Sequence, residues 1–412
     1  MCTPGKGRGR MMRPKLRPIQ PQWAQQDGRP VLVLRDPLAL SGKVLAVPQP
    51  LAPLLALCDG TRDESALRAA LEIRAGVRLS PEILADILRQ LDEALLLENE
   101  RSAQALAAAV REYRSAPFRA LASAGSGYPD DPGLLAKTLQ GYLDGAGDVP
   151  RFPNARGLVS PHIDYMRGGG VYGKVWAAAA EAVRQADVAV IFGTDHMGDF
   201  SPLTLTRQNY ATPFGILPTD NDIVEAVAAA IGEDVAFRDE IHHRNEHSVE
   251  LAAIWLHYVR GGTPCALVPV LSGSFERFVA GPERARDDGI IAKGIAALRS
   301  ALAGRRSVVV AAADLAHTGP AFGDTLPAGF VERAMGKKAD RLLMERLCAG
   351  DADGFLLLIR EEGDRRHICG LPPIYLAARL LEPVAGYAVA YDQAPADPQG
   401  ASFVSFCGIV WE

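Results

Sequence analysis

The chain has 412 residues, 48% hydrophobic and 23% charged, with a net charge of −5; this is globular composition, long enough for two or three domains with a sizeable core. The acidic balance leaves no positive field to attract nucleic acid, and no apolar run approaches the roughly eighteen residues that a membrane span needs. Six cysteines (Cys2, Cys58, Cys265, Cys348, Cys369 and Cys407), without CxxC spacing, argue against a disulfide framework and for a reducing, cytoplasmic compartment.

Met1 to Pro18 carries six basic side chains (Lys6, Arg8, Arg10, Arg13, Lys15 and Arg17) and no acid. No apolar run comes after it, so the segment does not read as a secretory signal. Residues 1–30 are expected to form a disordered or extended tail, with Met11 or Met12 as alternative starts. Residues 31–115 read as a small helical module. Leu51, Leu54, Leu55 and Leu57 lead into Cys58-Asp59-Gly60-Thr61, where the glycine ends one element and Thr61 is placed to cap the next. Leu67, Leu71 and Ile73 then recur at helical spacing. Ser80-Pro81-Glu82 opens a further helix, with Ser80 as N-cap, Pro81 in the first turn and an apolar stripe through Ile83, Leu84, Ile87, Leu88 and Leu91. An alanine-rich helix at 102–113 links this module to a second domain.

From Phe118 onward strands and helices alternate, and residues 116–412 read as one α/β domain. Leu158-Val159 is a short strand and "DVAVIFGTDH" a strand running into a loop. "NDIVEAVAAAIG" is a helix, "CALVPVLSG" a strand, "SVVVAAADLAH" a strand and loop, and "PPIYLAARLL" a helix. "YAVAYDQ" and "FVSFCGIVW" read as two closing strands. Apolar runs alternating with helices predict a mostly parallel or mixed sheet covered on both faces. In such sheets ligands bind beyond the carboxyl ends of the strands.

The histidines point to that rim. All eight (His162, His196, His242, His243, His247, His257, His317 and His367) lie between positions 162 and 367, and imidazole is both the commonest metal ligand and the usual acid–base group near neutral pH. His162, His196, Asp314 and His317 each come after an apolar strand. His162 sits behind Pro161 and ahead of the glycine run Gly168 to Gly170, and a histidine merely satisfied in its loop is the plainer alternative. His196 lies beside Asp195, a carboxylate available to orient it. Cys369, in "RHICGLPPI", falls just before a helix start, where a thiolate is stabilised; a small buried hydrophobe is its plainer role, and His367 competes with it as a ligand. In "HHRNEHSVELAAIWLHY" the carboxylate precedes its nearest histidine, so this is not a zincin motif. Glu246, His247 and Glu250 are placed in the first turns of a helix, His247 as an acid–base group, and His242 and His243 as solvated loop residues. Asp314 reads either as a site residue or as a solvated N-cap.

The N-terminal pattern, "LAPLLALCDGTRDESALRAAL…LSPEILADILRQLDEALLLEN", resembles the PqqD-like winged-helix module, which implies a unit that binds a peptide or partner and does no chemistry; a helical cap or dimerisation domain is the alternative. The ordered series "AGSGYP", "SPHIDY", "FGTDH", "TPFG", "NEHSVEL", "VPVLSG", "AADLAH" and "ICGLPPI" resembles the Memo family, also called AmmeMemoRadiSam system protein B, over residues 118–412. The resemblance implies a fold similar to class III extradiol dioxygenases. It also implies a metal held by His162, His196 and Cys369, the cysteine standing where the dioxygenases place a glutamate, with Asp314 close by. Two departures stand out. Gly127 replaces the family's usual tryptophan, and Leu371-Pro372 replaces its usual Arg-His pair after Cys369-Gly370.

A two-histidine, one-cysteine site with open positions suits iron(II), copper or zinc, and ligand type alone does not choose among them. Iron(II) or copper is the expectation and zinc is less favoured, because a zinc hydrolase would want a general-base glutamate that is missing beside these histidines. The resemblance and the ligand types together imply a dioxygenase-like oxidoreductase acting on a small aromatic or peptide-borne group, with His247, His317 and Asp314 as the catalytic candidates. The partners so implied are a small-molecule or peptide substrate, a radical SAM protein and an AMMECR-type protein. A non-enzymatic copper or iron binder, or a peptide-binding adaptor, is the alternative.

Overall fold

The computed structural model describes residues 13–198 and 201–412; Lys6, Arg8, Arg10, Cys2 and the two alternative start methionines lie outside the described residues. The chain divides into two compact units, the first ending at Tyr113 and the second running from Arg114 to Glu412.

Three antiparallel strands open the first unit: β1 (Gln20–Gln26), β2 (Arg29–Arg35) and β3 (Leu45–Pro48), paired in that order. Thus residues 20–26, within the segment expected as a tail, pair along their whole length with β2. The signal was Asp27-Gly28. At φ 51° and 72° it forms the two-residue turn whose twist suits a hairpin, and such a dipeptide is the strongest short-range hairpin cue. Four helices come next, α1 (Ala52–Leu57), α2 (Glu64–Ala75), α3 (Pro81–Glu93) and α4 (Glu100–Ser115). The Ser80 hydroxyl accepts the Ile83 N–H and caps α3. At α2 the cap is Asp63, which accepts the Ala66 N–H, whereas the Thr61 hydroxyl is turned back to Asp59. Leu54, Leu57, Leu67, Leu71, Leu84, Leu88 and Leu91 are buried together as one core. Ile73 is exposed and stands outside that stripe.

In the second unit α5 (Pro132–Asp144), β4 (Gly157–Ser160), α6 (Tyr165–Gln185), β5 (Val188–Thr194) and the short strands β6 (Thr204–Leu205), β7 (Tyr210–Thr212) and β8 (Gly215–Leu217) come first. They lead into α7 (Asn221–Ile231), α8 (Glu233–Ala236), α9 (Ser248–Val259), β9 (Ala266–Ser272), α10 (Glu276–Val279), α11 (Gly289–Leu302), β10 (Ser307–Ala312) and β11 (His317–Thr318). The chain continues through α12 (Phe330–Cys348), α13 (Ala352–Glu361), α14 (Leu371–Leu381), β12 (Gly386–Pro395) and β13 (Phe403–Trp411). The central sheet has the order β11-β13-β4-β10-β5-β9-β6, with β12 on the other side of β13. It is mixed. β4, β10, β5 and β9 run parallel, while β13 and β6 are antiparallel additions at either side.

Strand residues alternate between two apolar layers because successive side chains point to opposite faces. Val190, Phe192, Val309 and Ala311 join one layer with residues of α7, α11, α13 and α14. Ala189, Ile191, Val308 and Val310 join the other with residues of α5, α6 and α9. Each buried large aliphatic or aromatic side chain contributes roughly 1.5–3 kcal/mol of transfer free energy. The near-continuous apolar runs of β5 and β10 have a direct cause, since both faces of these strands are covered. At α6 the glycines serve close approach: a Cβ on Gly173 would stand 2.2 Å from the Tyr142 carbonyl oxygen of α5. No helix among the described residues is long and apolar enough to cross a membrane.

Candidate metal centre

β4, β10 and β5 are neighbours and parallel, so their carboxyl ends share one rim. His162 lies two residues past the end of β4, Asp314 two past β10 and His196 two past β5. Cys369 arrives from elsewhere, in the loop before α14. Gly370 makes that approach possible: a Cβ there would lie 2.1 Å from the Asp314 carbonyl oxygen and 2.8 Å from Ala313 Cβ. The ligand-type atoms of His162, His196 and Cys369 all lie within 4.8 Å of one another, and Cys369 Sγ is 3.2 Å from His162 Nε2. The two imidazole rings stand 5.1 Å apart.

Neighbouring acceptors fix which edge each ring presents. His162 Nδ1 donates to the Ala312 carbonyl at 3.0 Å, which leaves Nε2 facing the thiol. His196 Nδ1 donates to Glu246 Oε2 at 3.0 Å, so its Nε2 is again the free edge. A carbonyl and a carboxylate can only accept, and this sets the tautomers. Asp314 Oδ1 takes the backbone N–H groups of His162 and Ile163, at 3.0 and 3.3 Å, and Oδ2 lies 3.7 Å from His162 Nε2. Asp314 is therefore buried and bonded into the site, not a solvated cap. His317 Nδ1 meets the Leu315 carbonyl at 3.2 Å, and its ring stands edge-on against Phe322 at 4.8 Å. His247 stands 5.3 Å from His162 and 4.9 Å from His196, ring to ring. A cleft of about 520 Å³ opens over His162, His196, His247, Asp314 and His317, with Gly127 in its wall. A second cleft of about 520 Å³ reaches Cys369 past Thr194, Asp195 and Ser272.

Electrostatics bind the cluster together. Burial by itself would raise the Cys369 thiol, but the charges of His162 and His317 and the hydrogen bonds of His162 and His196 outweigh it and hold the group well below its ordinary value. Burial would likewise lower His162, yet the Cys369 thiolate and Asp314 push it up to about 9. His196, its side chain 32% exposed, is raised well above its usual range once Glu246 and Cys369 overcome burial. Desolvation raises Asp314 despite the His162 charge. For Glu246, burial opposes ionisation while His196 and His247 enforce it, and the carboxyl sits well below the ordinary carboxylate range. The cluster is thus an array of imidazolium and thiolate, the charge pattern that a cation can replace by displacing protons.

Several placements differ from expectation. The orienting carboxylate of His196 is Glu246; Asp195 instead takes the His242 Nδ1–H at 2.9 Å. Glu246 precedes the helix, which starts at Ser248 with His247 as its N-cap. His242 and His243 are not solvated. His243 is buried, its Nε2 donating to the Thr204 carbonyl at 3.0 Å and its Nδ1 meeting the Tyr210 hydroxyl at 2.5 Å, and burial pushes it down to about 3. Glu250 has no part in the cluster. It is buried against Arg119 and accepts from Tyr128 at 2.5 Å and from the backbone of Ala122 and Ser123, which ties the segment holding Gly127 to α9. His367 is exposed, its Nδ1 faces the His317 carbonyl at 3.3 Å, and it lines the cleft that reaches Cys369 without joining the three ligand atoms. The sequence cue for Glu246 was its place in "NEHS", but nothing local shows that a residue 50 positions from His196 reaches it.

The family model for Memo-like proteins matches residues 119–410. Similar curated proteins include a MEMO1 family protein of Aquifex aeolicus, 31% identical over 227 residues, which are 55% of this chain and 59% of that protein. Another, from Methanosarcina barkeri, is 30% identical over 261 residues, 62% of this chain and 84% of the relative. A third, from Methanopyrus kandleri, is 29% identical over 263 residues, 62% and 83% of the two chains. The matched part of this chain spans less than two thirds of the Aquifex relative's length.

Proposed function

This chain belongs to the Memo family, and on that premise we propose that its second unit holds iron(II) or copper on His162 Nε2, His196 Nε2 and Cys369 Sγ and works as a dioxygenase-like oxidoreductase. The observation that carries the reading is the convergence of these three donors within 4.8 Å, with both Nδ1 edges already engaged by acceptors. Held by these two imidazoles and one thiolate, the metal would supply the redox chemistry toward O₂. The protein groups do the rest. Asp314 fixes the His162 loop through two backbone N–H bonds. His247 and His317 both line the cleft and accept or return the substrate proton. Leu251, Phe322 and Val404 give it an apolar wall, which suits a small aromatic or peptide-borne group. Glu246 is committed to two imidazole edges, so it is not free to act as the general base of a zinc hydrolase. In an AmmeMemoRadiSam system the partners are a radical SAM protein and an AMMECR-type protein, and the first unit, as a PqqD-like winged-helix module, takes the peptide or partner.

Anaerobic purification with metal analysis, then O₂ uptake in the presence of catechols and modified peptides, tests both halves. The expected result is about one iron or copper per chain, lost in His162→Ala and Cys369→Ser, with substrate-dependent O₂ consumption. Metal retained by both variants would refute the ligand set. A tightly held metal inert toward every substrate would favour the binder or adaptor.

A further inference from the structure

We propose that Glu246 is a positioning residue that joins His196, as metal ligand, to His247, as acid–base group, in one rigid unit; the inference rests on the metal site proposed for His162, His196 and Cys369. The Glu246 side chain is 3% exposed, and each of its oxygens takes a different imidazole. Oε2 accepts the His196 Nδ1–H at 3.0 Å, and Oε1 lies 3.1 Å from His247 Nδ1. Backbone donors complete the set: His196 N–H reaches Oε2 at 3.3 Å and Ser248 N–H reaches Oε1 at 3.0 Å. A carboxylate offers about four acceptor positions, so these donors saturate it.

Saturation has a chemical consequence. A carboxylate cannot donate, so each ring must carry its proton on Nδ1, and each neutral ring then holds its lone pair on Nε2. Because each ring meets the shared carboxylate through Nδ1, both turn their Nε2 edges away from it, with the rings 4.9 Å apart and 18° from parallel. One buried group thereby sets the ligating edge of His196 and the proton-accepting edge of His247. It also holds α9, which begins at Ser248, in register with the end of β5. A mobile or protonated carboxylate at this position would release two functional groups at once.

Glu246→Gln tests this, because its amide keeps one acceptor and turns an N–H₂ toward the other imidazole. Cobalt(II) affinity, measured by chelator competition, is expected to fall about 10- to 100-fold while the sulfur-to-cobalt charge-transfer band persists. Nitrogen-15 NMR of the His247 side chain, which needs no metal, is expected to change from the Nδ1–H tautomer to a mixture. Glu246→Asp, which keeps every acceptor, should retain the native tautomer. Glu240→Gln is the control for plain structural loss: Glu240 is as buried but bonds Arg114 and Thr206, and its variant should move neither readout. The inference is overturned if Glu246→Gln leaves affinity and tautomer unchanged, if folded Glu246→Asp gives the mixture, or if Glu240→Gln shifts both readouts equally. It is also overturned if the native protein binds two cobalt ions and Glu246→Gln one, since Glu246 would then be a ligand. His162→Ala separates the two readings. Undiminished cobalt binding there would sink the metal assignment, while the His247 tautomer would still judge Glu246.

Discussion

Among single residues Cys369 differs most from its own kind. Burial pushes the thiols of Cys265, Cys348 and Cys407 up, and Cys58 up to about 11 with help from Asp59. Only Cys369, among the described cysteines with a resolved shift, is drawn down, because three imidazoles surround it. The thiolate is the nucleophile. Alkylation of the metal-free protein should therefore mark Cys369 first among Cys265, Cys348, Cys369 and Cys407, at a rate that depends less on pH than that of Cys348, which should react slowly and faster as pH rises. Bound metal should protect Cys369. Peptide mapping of timed alkylation checks this, and equal rates at Cys369 and Cys348 would make the residue structural, leaving Asp314 as the third ligand candidate. The placement of Cys369 ahead of a helix was legible in "CGLPPI". Its imidazole surroundings were not, since His162, His196 and His317 lie 207, 173 and 52 positions away.

At the scale of elements, the site depends on how closely the start of α14 meets the end of β10. Gly370 carries no positive φ; it is glycine because any Cβ would collide with the Asp314 backbone. Gly370→Ala should push the Cys369 loop off the rim, costing about 1–3 kcal/mol of stability as overpacking does and weakening metal binding. Chemical denaturation and metal competition measure the two effects. A variant with native metal affinity would mean that the loop can yield without moving Sγ. Strand and helix identities were readable here, because apolar runs, Pro372-Pro373 and the Ser80-Pro81 cap are local signals. The β1–β2 hairpin was missed although Asp27-Gly28 announced it, the polar sequence QPQWAQQ giving no apolar alternation.

For the whole molecule, the two compact units and the family match confined to residues 119–410 predict separable roles. Deleting the first unit should leave metal content unchanged while altering partner binding or oligomerisation; loss of metal on deletion would show that the boundary cuts the functional unit. Metal analysis and light scattering of the truncated protein decide this. The sequence by itself determined the mixed α/β class of the second unit, the strand-end positions of His162, His196 and Asp314, and the absence of any membrane-length apolar run, because each arises from periodicity and composition over a few neighbouring residues. The tertiary structure alone decided which polar groups meet. Parallel order β4-β10-β5 set three loops side by side, α14 brought Cys369 beneath them, and packing chose Glu246 over the adjacent Asp195 as the partner of His196. Those choices depend on contacts between segments tens to hundreds of residues apart, and no local pattern encodes which of two nearby carboxylates a buried imidazole will face.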